Sequence, residues 1–577
     1  MTAEPSESFA RSLFLGELRD DLVFPYWQVD PAEEAHIDKL SAEIEAWSHG
    51  YDPREAERQR WVGDDAIRSL GEIGALGLFV DPALGGQGLS QTGYCKVFEM
   101  IGRVDATLAV VCGVHQSIGY KGIHLFGTEE QKARFLPDLA TGRKLAAFAL
   151  TEPGAGSDAY HLETRARRQT DGSYVLDGDK RYIGNGSRAD VLMTFARTDE
   201  GAHVALIVEK DMAGFEVGER YDTMGLRGND LRKLHFRGVR VPAENVLGAE
   251  GDGFKVAVSV LNNGRMSLGT GAAGSVKTLL SHAIAHTSQR RQFGRPLADF
   301  ELVRQKIAWM TSYLYGMEAM TYATTGLVDR GVEDYALESA IVKIAATEFQ
   351  WYAANRAFQL AGGAAYMTDE PYEKILRDIR IFPVFEGSND VLRAFVALQG
   401  LQGLTARLED LQHLDVRKPV EALSAVWDYA RDRIDLATRP DPIGRTHPEL
   451  AHLASPLAEQ VSRLRSTSER LLRQHGEGVT DMQAVQKRLA HAAIDIFAQT
   501  ATLARVSDDL ATDEPDEATG PRGDEHYIAE TFCRRASARV EQVLDRVEVN
   551  DDDRTARIAA LAYARHGHPL DTPDDAG

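Results

Sequence analysis

Two stretches of this chain carry residue types that could do chemistry. In Phe385-Glu386-Gly387-Ser388-Asn389-Asp390, one carboxylate follows the apolar run Ile381-Phe382-Pro383-Val384-Phe385 and precedes a glycine. Apolar surroundings disfavour a charged carboxylate and raise its pKa toward neutrality, where a general base works best. The same glutamate could instead sit near the start of a helix opened by Ser388-Asn389-Asp390, where an N-cap is expected. Spacing alone leaves both readings standing. In Phe148-Ala149-Leu150-Thr151-Glu152-Pro153-Gly154-Ala155-Gly156-Ser157-Asp158, a strand-like run enters a glycine-punctuated turn with hydroxyls and exposed backbone N–H groups. Such a turn suits the polar atoms of a flat cofactor or a phosphate, and taken alone it is also an ordinary β-turn.

Two other signals are weaker. Gly269-Thr270-Gly271-Ala272-Ala273-Gly274 matches GxGxxG, but it follows Asn262-Asn263-Gly264-Arg265 inside a long helical pattern. A dinucleotide site of that type needs a preceding strand and a βαβ unit, so close helix packing is the better reading. His282 and His286 lie one helical turn apart without a third ligand, which points to capping or core packing rather than a metal.

The elements that must position these stretches follow from periodicity. From about Pro31 to Leu139 the pattern is helical, with Ile67, Leu70, Ile73, Leu76 and Leu78 at helix-like spacing. Near Lys144 it changes to short strand-like runs separated by Gly, Asn and Asp turns, ending in Leu234–Val241. Helical patterns return after Gly253, persist to about Gly400, and resume from about Leu404 to Arg565. Breaks fall at Arg439-Pro440-Asp441-Pro442 and the acidic stretch Asp508 to Glu525, with a frayed tail from Asp571. Helices and strands are segregated, so an α+β, mainly α fold is predicted in place of a parallel doubly wound sheet. The expected domains are 1–143, helical; 144–250, β; 251–403, a helical bundle carrying Glu386; and 404–577, an extra helical domain.

The chain has 577 residues, too many for one core. Acidic residues outnumber basic ones 87 to 65, a formal net charge of -22 that repels phosphate backbones and argues against a nucleic-acid partner. The three cysteines, Cys95, Cys112 and Cys533, have no zinc-site or disulfide-framework spacing. The first residues lack the basic-then-apolar layout of a signal peptide, so a cytoplasmic location is expected.

Thr151–Asp158, Ser288-Gln289-Arg290-Arg291-Gln292-Phe293-Gly294-Arg295-Pro296-Leu297, Gln359-Leu360-Ala361-Gly362-Gly363 and Phe385–Asp390 occur in an order and spacing that resemble the acyl-CoA dehydrogenase family. The resemblance covers nearly the whole chain. Ser8-Phe9-Ala10, His115-Gln116-Ser117-Ile118-Gly119 and the C-terminal helical region look like its very-long-chain branch. The resemblance implies an N-terminal helical domain, a β-barrel-like middle domain, a C-terminal four-helix bundle and an added helical domain. It also implies FAD as cofactor and an acyl-CoA substrate. Glu386 would be the catalytic base that takes the α-proton while the β-hydrogen leaves as hydride to the flavin, with an electron-transfer flavoprotein as acceptor.

Residue by residue, the resemblance assigns flavin contacts to Phe148, Leu150, Thr151, Gly156, Ser157, Tyr182, Gly184, Ser388 and Asp390. Arg290, Gln292 and Phe293 would reach the FAD diphosphate of a neighbouring subunit, and Gln359, Gly362 and Gly363 its adenosine half, implying a homodimer. Guanidinium forks suit a diphosphate. Ser157, Asn262, Arg265 and Gly387 would face the substrate, and Gly264 stands where some relatives carry the base. Gly184 departs from the family, which usually has Ser or Thr there, and Tyr182 stands where Trp is common. Ala109 and Gly113, small where medium-chain relatives are bulky, fit either a deep slot for a long acyl chain or tight helix packing. The rival functions are an acyl-CoA oxidase using oxygen and an assembly factor that keeps the fold without turnover. Pro419 to Ile434 is predicted to form an amphipathic helix that packs on the protein body, with peripheral membrane contact as the alternative implied by the branch.

Overall fold

The computed structural model describes residues 8–412, 443–512 and 524–568. The predicted helix Pro419 to Ile434, the break at Arg439–Pro442, most of the acidic stretch and the C-terminal tail lie outside these residues.

The N-terminal part contains α1 (Phe9–Phe14), α2 (Pro31–Ser48), α3 (Pro53–Gln59), α4 (Asp64–Ile73), α5 (Gln91–Val104), α6 (Ala106–Gly113), α7 (Lys121–Phe126) and α8 (Glu129–Ala140). Side-chain caps set several of the starts. Ser90 accepts from the Gly93 N–H ahead of α5, Asp105 from Leu108 ahead of α6, and Thr128 forms a capping box with Gln131 ahead of α8. Between α6 and α7 the chain makes a π-helical turn, Val114–Gly119, of the kind often found beside functional sites.

The strands are β1 (Ala146–Ala149), β2 (Arg165–Arg168), β3 (Tyr174–Ile183), β4 (Val191–Arg197), β5 (His203–Glu209), β6 (Phe215–Arg220), β7 (Arg232–Val241) and β8 (Val246–Leu247). They form one mixed sheet in the order β6-β7-β3-β2-β4-β5-β8, with β1 pairing parallel to β4. The sheet is open, which corrects the barrel-like expectation. Its end strands β6 and β8 do not pair with each other. Alternate residues of β4 point into two separate cores: Val191, Met193 and Phe195 join the N-terminal helices, while Leu192 and Ala196 join Leu176, Leu206 and Phe236 on the other face. Helices thus cover one face of the sheet, while the other face holds a core made by the strands themselves.

The helical bundle follows: α9 (Gly253–Gln289), α10 (Glu301–Asp329), α11 (Ala336–Ala361), α12 (Pro371–Ile379) and α13 (Asn389–Gln412). A short hairpin, β9 (Arg291–Gln292) with β10 (Arg295–Pro296), links α9 to α10. Further on come α14 (Ala451–His475), α15 (Gln483–Thr512), α16 (Glu525–Glu548) and α17 (Asp552–Arg565). Leu457, Phe497 and Phe532 from α14, α15 and α16 share one core with Phe9, Ala319 and Val396 from α1, α10 and α13. Among the described residues no helix is long and apolar enough to cross a membrane.

The glycines of α9 serve helix approach. A Cβ at Gly102 of α5 would lie 2.6 Å from the Gly271 carbonyl, and one at Gly269 would lie 2.6 Å from Val342 of α11. GxGxxG here is a packing seam, as its helical setting suggested.

Candidate active site

Glu386 sits in the loop between α12 and α13. The loop is closed by Asn389 N–H donating to Pro383 O at 2.9 Å and Phe385 N–H to Ile381 O at 3.1 Å. Phe382 and Phe385 stack at 5.3 Å. Two consecutive residues adopt left-handed backbone, Glu386 at φ 56° and Gly387 at φ 91°. For glutamate this costs about 1–3 kcal/mol and persists only where the surroundings hold it.

The reward for that strain is the carboxyl's position. Glu386 Oε2 is buried and has no hydrogen-bond partner. Burial pushes the carboxyl up to about 7, opposed first by the charge of Lys343 and then by that of Arg265. Gly264 of α9 makes room for it, since a Cβ there would stand 3.0 Å from Glu386 Oε2 and 2.8 Å from Ile118 of the π-helical turn. Gly264 is therefore part of the Glu386 site.

Arg265 and Asn262 meet at the same place. Arg265 is buried, donates from Nε to the Glu386 carbonyl at 3.3 Å, and from Nη1 to Asn262 Oδ1 at 2.8 Å. Burial lowers the Arg265 guanidinium to about 10, against the pull of Glu386. The Gly387 carbonyl accepts from Lys343 Nζ at 2.7 Å. Ser388 Oγ accepts from the Val391 N–H at 3.4 Å and so caps α13, whereas Asp390 is exposed and paired with Arg393 at 3.3 Å.

A second group forms at the end of β1. Phe148 and Leu150 are buried, Thr151 is half-buried, and Gly156 and Ser157 are exposed on the turn. A Cβ at Gly156 would meet nothing within 4 Å, so the turn is an open cradle. Its floor is a buried ion pair. Lys180 Nζ lies 2.6 Å from Glu152 Oε1 and also donates to Leu150 O at 3.0 Å and Phe195 O at 2.7 Å. Glu152 further accepts from the N–H groups of Glu163 and Thr164. Sequence reading missed this pair, although Glu152 lies inside the quoted motif. Its one visible signal was a lysine in a strand whose other inward residues are apolar.

Tyr182, at φ 59° and half exposed, packs its ring against Tyr221 at 4.7 Å and under the Arg181 guanidinium at 4.1 Å. Gly184 is backed by the π-helical turn: a Cβ would lie 3.0 Å from Val114 Cγ2 and 3.6 Å from Asn229 Nδ2. The Val114 methyls crowd the space that a Ser or Thr side chain would need. On α6, Ala109 is buried in the helical core, and a Cβ at Gly113 would come within 3.3 Å of Phe98 and 3.6 Å of Ser117 Oγ. Ser117 in turn bonds Tyr94 and Ser267 in a buried hydroxyl cluster.

The remaining assigned residues form a separate, exposed set. Arg290 ends α9, Gln292 lies in the following hairpin, and Phe293 at its tip is 93% exposed with φ 51°. Gln359 is exposed at the end of α11, and a Cβ at Gly362 or Gly363 would meet nothing within 4 Å. No hydrogen bond or ion pair joins this set to Glu386 or the Thr151–Ser157 turn among the described residues. His282 packs edge-on against Tyr372, and no group of metal-ligating residues occurs among the described residues.

Four family models match. They are the N-terminal, middle and C-terminal domains of acyl-CoA dehydrogenase over residues 41–143, 147–239 and 251–401, and the ACAD9/ACADV C-terminal domain over 448–565. The very long-chain specific acyl-CoA dehydrogenases of mouse and human mitochondria are each 36% identical to the chain. The matches cover 93% of this chain and 83% or 84% of theirs. A crystal structure of an acyl-CoA dehydrogenase complexed with FAD from Bacillus anthracis superposes with a TM-score of 0.78 at 27% identity, covering 97% of this chain and 96% of that one. A solved chain described as the electron transferring flavoprotein of Acidaminococcus fermentans has a TM-score of 0.62 at 32% identity, over 65% of this chain and 99% of that one. The expected cytoplasmic location is corrected by these relatives, which are mitochondrial by name. A secretory signal peptide is one compartment address among several, each a short signal read by its own receptor, so lacking that one layout does not fix a location. The chain belongs to the acyl-CoA dehydrogenase family and is closely related to its very-long-chain branch.

Proposed function

We propose that the protein oxidises a long-chain acyl-CoA thioester between its α and β carbons, with Glu386 taking the α-proton, and that the electrons pass to an electron-transfer flavoprotein. The observation that carries this reading is the inner oxygen of Glu386, buried without a hydrogen-bond partner and close to two cations. A carboxyl titrating near neutrality is poised to take a proton and later release it. FAD is the cofactor, and when bound it supplies the acceptor for the β-hydride. Residues of this chain do the rest. Glu386 holds the proton, Gly264 leaves its carboxyl room, and Arg265 fixes its backbone.

The open turn at Gly156 and Ser157, with Phe148, Leu150 and Thr151 behind it, suits the edge of a flat ring system. Tyr182 and Gly184 are proposed to border the same ring, and Ser388 and Asp390 to meet it from the start of α13. Arg290, Gln292 and Phe293 are proposed to hold the diphosphate, and Gln359, Gly362 and Gly363 the adenosine half, of FAD bound mainly by a second copy. Support comes from the outward Phe293 and the open space over both glycines. A homodimer, a division into domains near residues 143, 250 and 403, and substrate contacts at Ser157, Asn262 and Gly387 belong to the same proposal. Small residues at Ala109 and Gly113 are proposed to deepen the acyl slot.

Anaerobic titration of the yellow protein with acyl-CoAs of increasing length tests the reading. Bleaching that persists well beyond about eight carbons is expected. Bleaching confined to shorter chains would overturn the long-chain assignment. No bleaching by any acyl-CoA would overturn the activity.

A further inference from the structure

Lys343 of α11 is fully buried within the apolar stretch Ile341-Val342-Lys343-Ile344. Its Nζ donates to two neutral oxygens, Gly387 O at 2.7 Å and Asn389 Oδ1 at 2.8 Å. Asn389 is oriented in turn, donating from Nδ2 to Thr347 Oγ1 at 3.1 Å. Stability alone is a poor reason to keep an amine there, because an apolar side chain of similar volume packs without the cost of desolvating a charge. Its contacts hold the strained segment on its C-terminal side: Gly387 is the second left-handed residue and follows Glu386 directly, and Asn389 begins α13.

We propose that Lys343 is a positioning residue for the base. Its amine pins Gly387 and Asn389 so that Glu386 stays left-handed with its carboxyl inward, and its charge favours the carboxylate form of Glu386. This rests on Glu386 being the base.

The charged groups facing Lys343 come from three helices and the catalytic loop: Glu386, Arg265 of α9, Glu348 of α11 and Arg393 of α13. Arg393 is bound beyond by Glu348 and, at 3.1 Å, by His491 of α15. Burial lowers Lys343 to about 7, and the charge of Glu386 is the largest influence opposing that fall. Lys343 likewise opposes the rise of Glu386 more than Arg265 does. Each group favours the charged form of the other, against the larger effect of burial. The amine supplies both a hydrogen bond and a charge, and the two contributions can be separated by substitution.

The experiment measures flavin reduction by acyl-CoA against pH in holoenzyme carrying Lys343→Gln, which keeps a donor and loses the charge, and Lys343→Arg, which keeps the charge. In Lys343→Gln the acid limb is expected to move up by about one pH unit, and in Lys343→Arg to stay in place while the rate falls. A readout independent of turnover is the pH dependence of the melting temperature, each variant compared with its own Glu386→Gln double. The titration of Glu386 so isolated should rise with the acid limb in Lys343→Gln. A purely structural lysine would lower the melting temperature in both variants and leave both titrations where they are, and that result would overturn the inference. Should Lys343→Gln not fold, an acid limb displaced in Lys343→Arg would overturn it as well. If Glu386→Gln alone still bleaches with substrate, the base assignment fails; if it is inert and Lys343→Gln is unshifted, only the role of Lys343 fails.

Discussion

Two buried carboxylates in this molecule meet opposite fates. Glu152, under the turn at the end of β1, has Lys180 at 2.6 Å and two backbone N–H donors, and its pKa is lowered despite burial. Glu386, before α13, has two cations nearby but no hydrogen-bond partner on its inner oxygen, and burial wins. Direct pairing makes the first a structural anion. Withholding it leaves the second free to exchange a proton. What separates the girder from the proposed base here is the hydrogen bond, since both sites have a lysine.

The contrast can be broken from either side. The largest expected effect is on the paired site: Glu152→Gln strands the Lys180 charge in the interior and should cost about 3–5 kcal/mol of stability, with loosened flavin retention. Chemical denaturation and the yellow colour after gel filtration check it. Next comes pH. Glu386 has a raised folded-state pKa, so its contribution to stability is fully present below its ordinary range and lost as pH rises through about 7. Glu386→Gln should therefore gain on the parent by up to about 3 kcal/mol between about pH 5 and 8, then run parallel to it. Glu152, lowered when folded, acts in the reverse sense, its contribution present above the ordinary carboxylate range and lost on acidification.

Gly264→Ala crowds Glu386 Oε2 and Ile118 without touching Lys180. A base displaced by about 1 Å can lose about 10²-fold in rate, so kcat should fall steeply while flavin content holds. The smallest effect is at Gly184→Ser. The new Cβ presses on Val114 and should cost about 1 kcal/mol, recovered largely by adding Val114→Ala. Flavin reduction rates in the double variant then report what a hydroxyl contributes at that position.

How much of this was legible in the sequence depends on the range of the interaction. The order of helical and strand segments followed from local periodicity, and so did the packing role of the α9 glycines. β2 and β6 did not, because Arg165-Ala166-Arg167-Arg168 and Phe215-Glu216-Val217-Gly218-Glu219-Arg220 show little apolar alternation. The openness of the sheet was hidden because it depends on whether the two end strands meet, a long-range pairing with no local pattern. Glu386 stood out through its motif, yet its neighbours did not. Lys343 reaches it through a carbonyl 44 residues away, and Lys180 meets Glu152 only after β3 pairs into the sheet. Long-range partners of buried charges leave no local pattern beyond a lone lysine in an apolar run.

The central claim is that the unpartnered carboxyl of Glu386 is the base. Its most direct test is stopped-flow mixing of Glu386→Gln holoenzyme with a long-chain acyl-CoA under anaerobic conditions. The expected result is folded, yellow protein that binds the thioester but whose flavin absorbance falls at least about 10²-fold more slowly than in the parent. Bleaching at the parental rate would contradict the account.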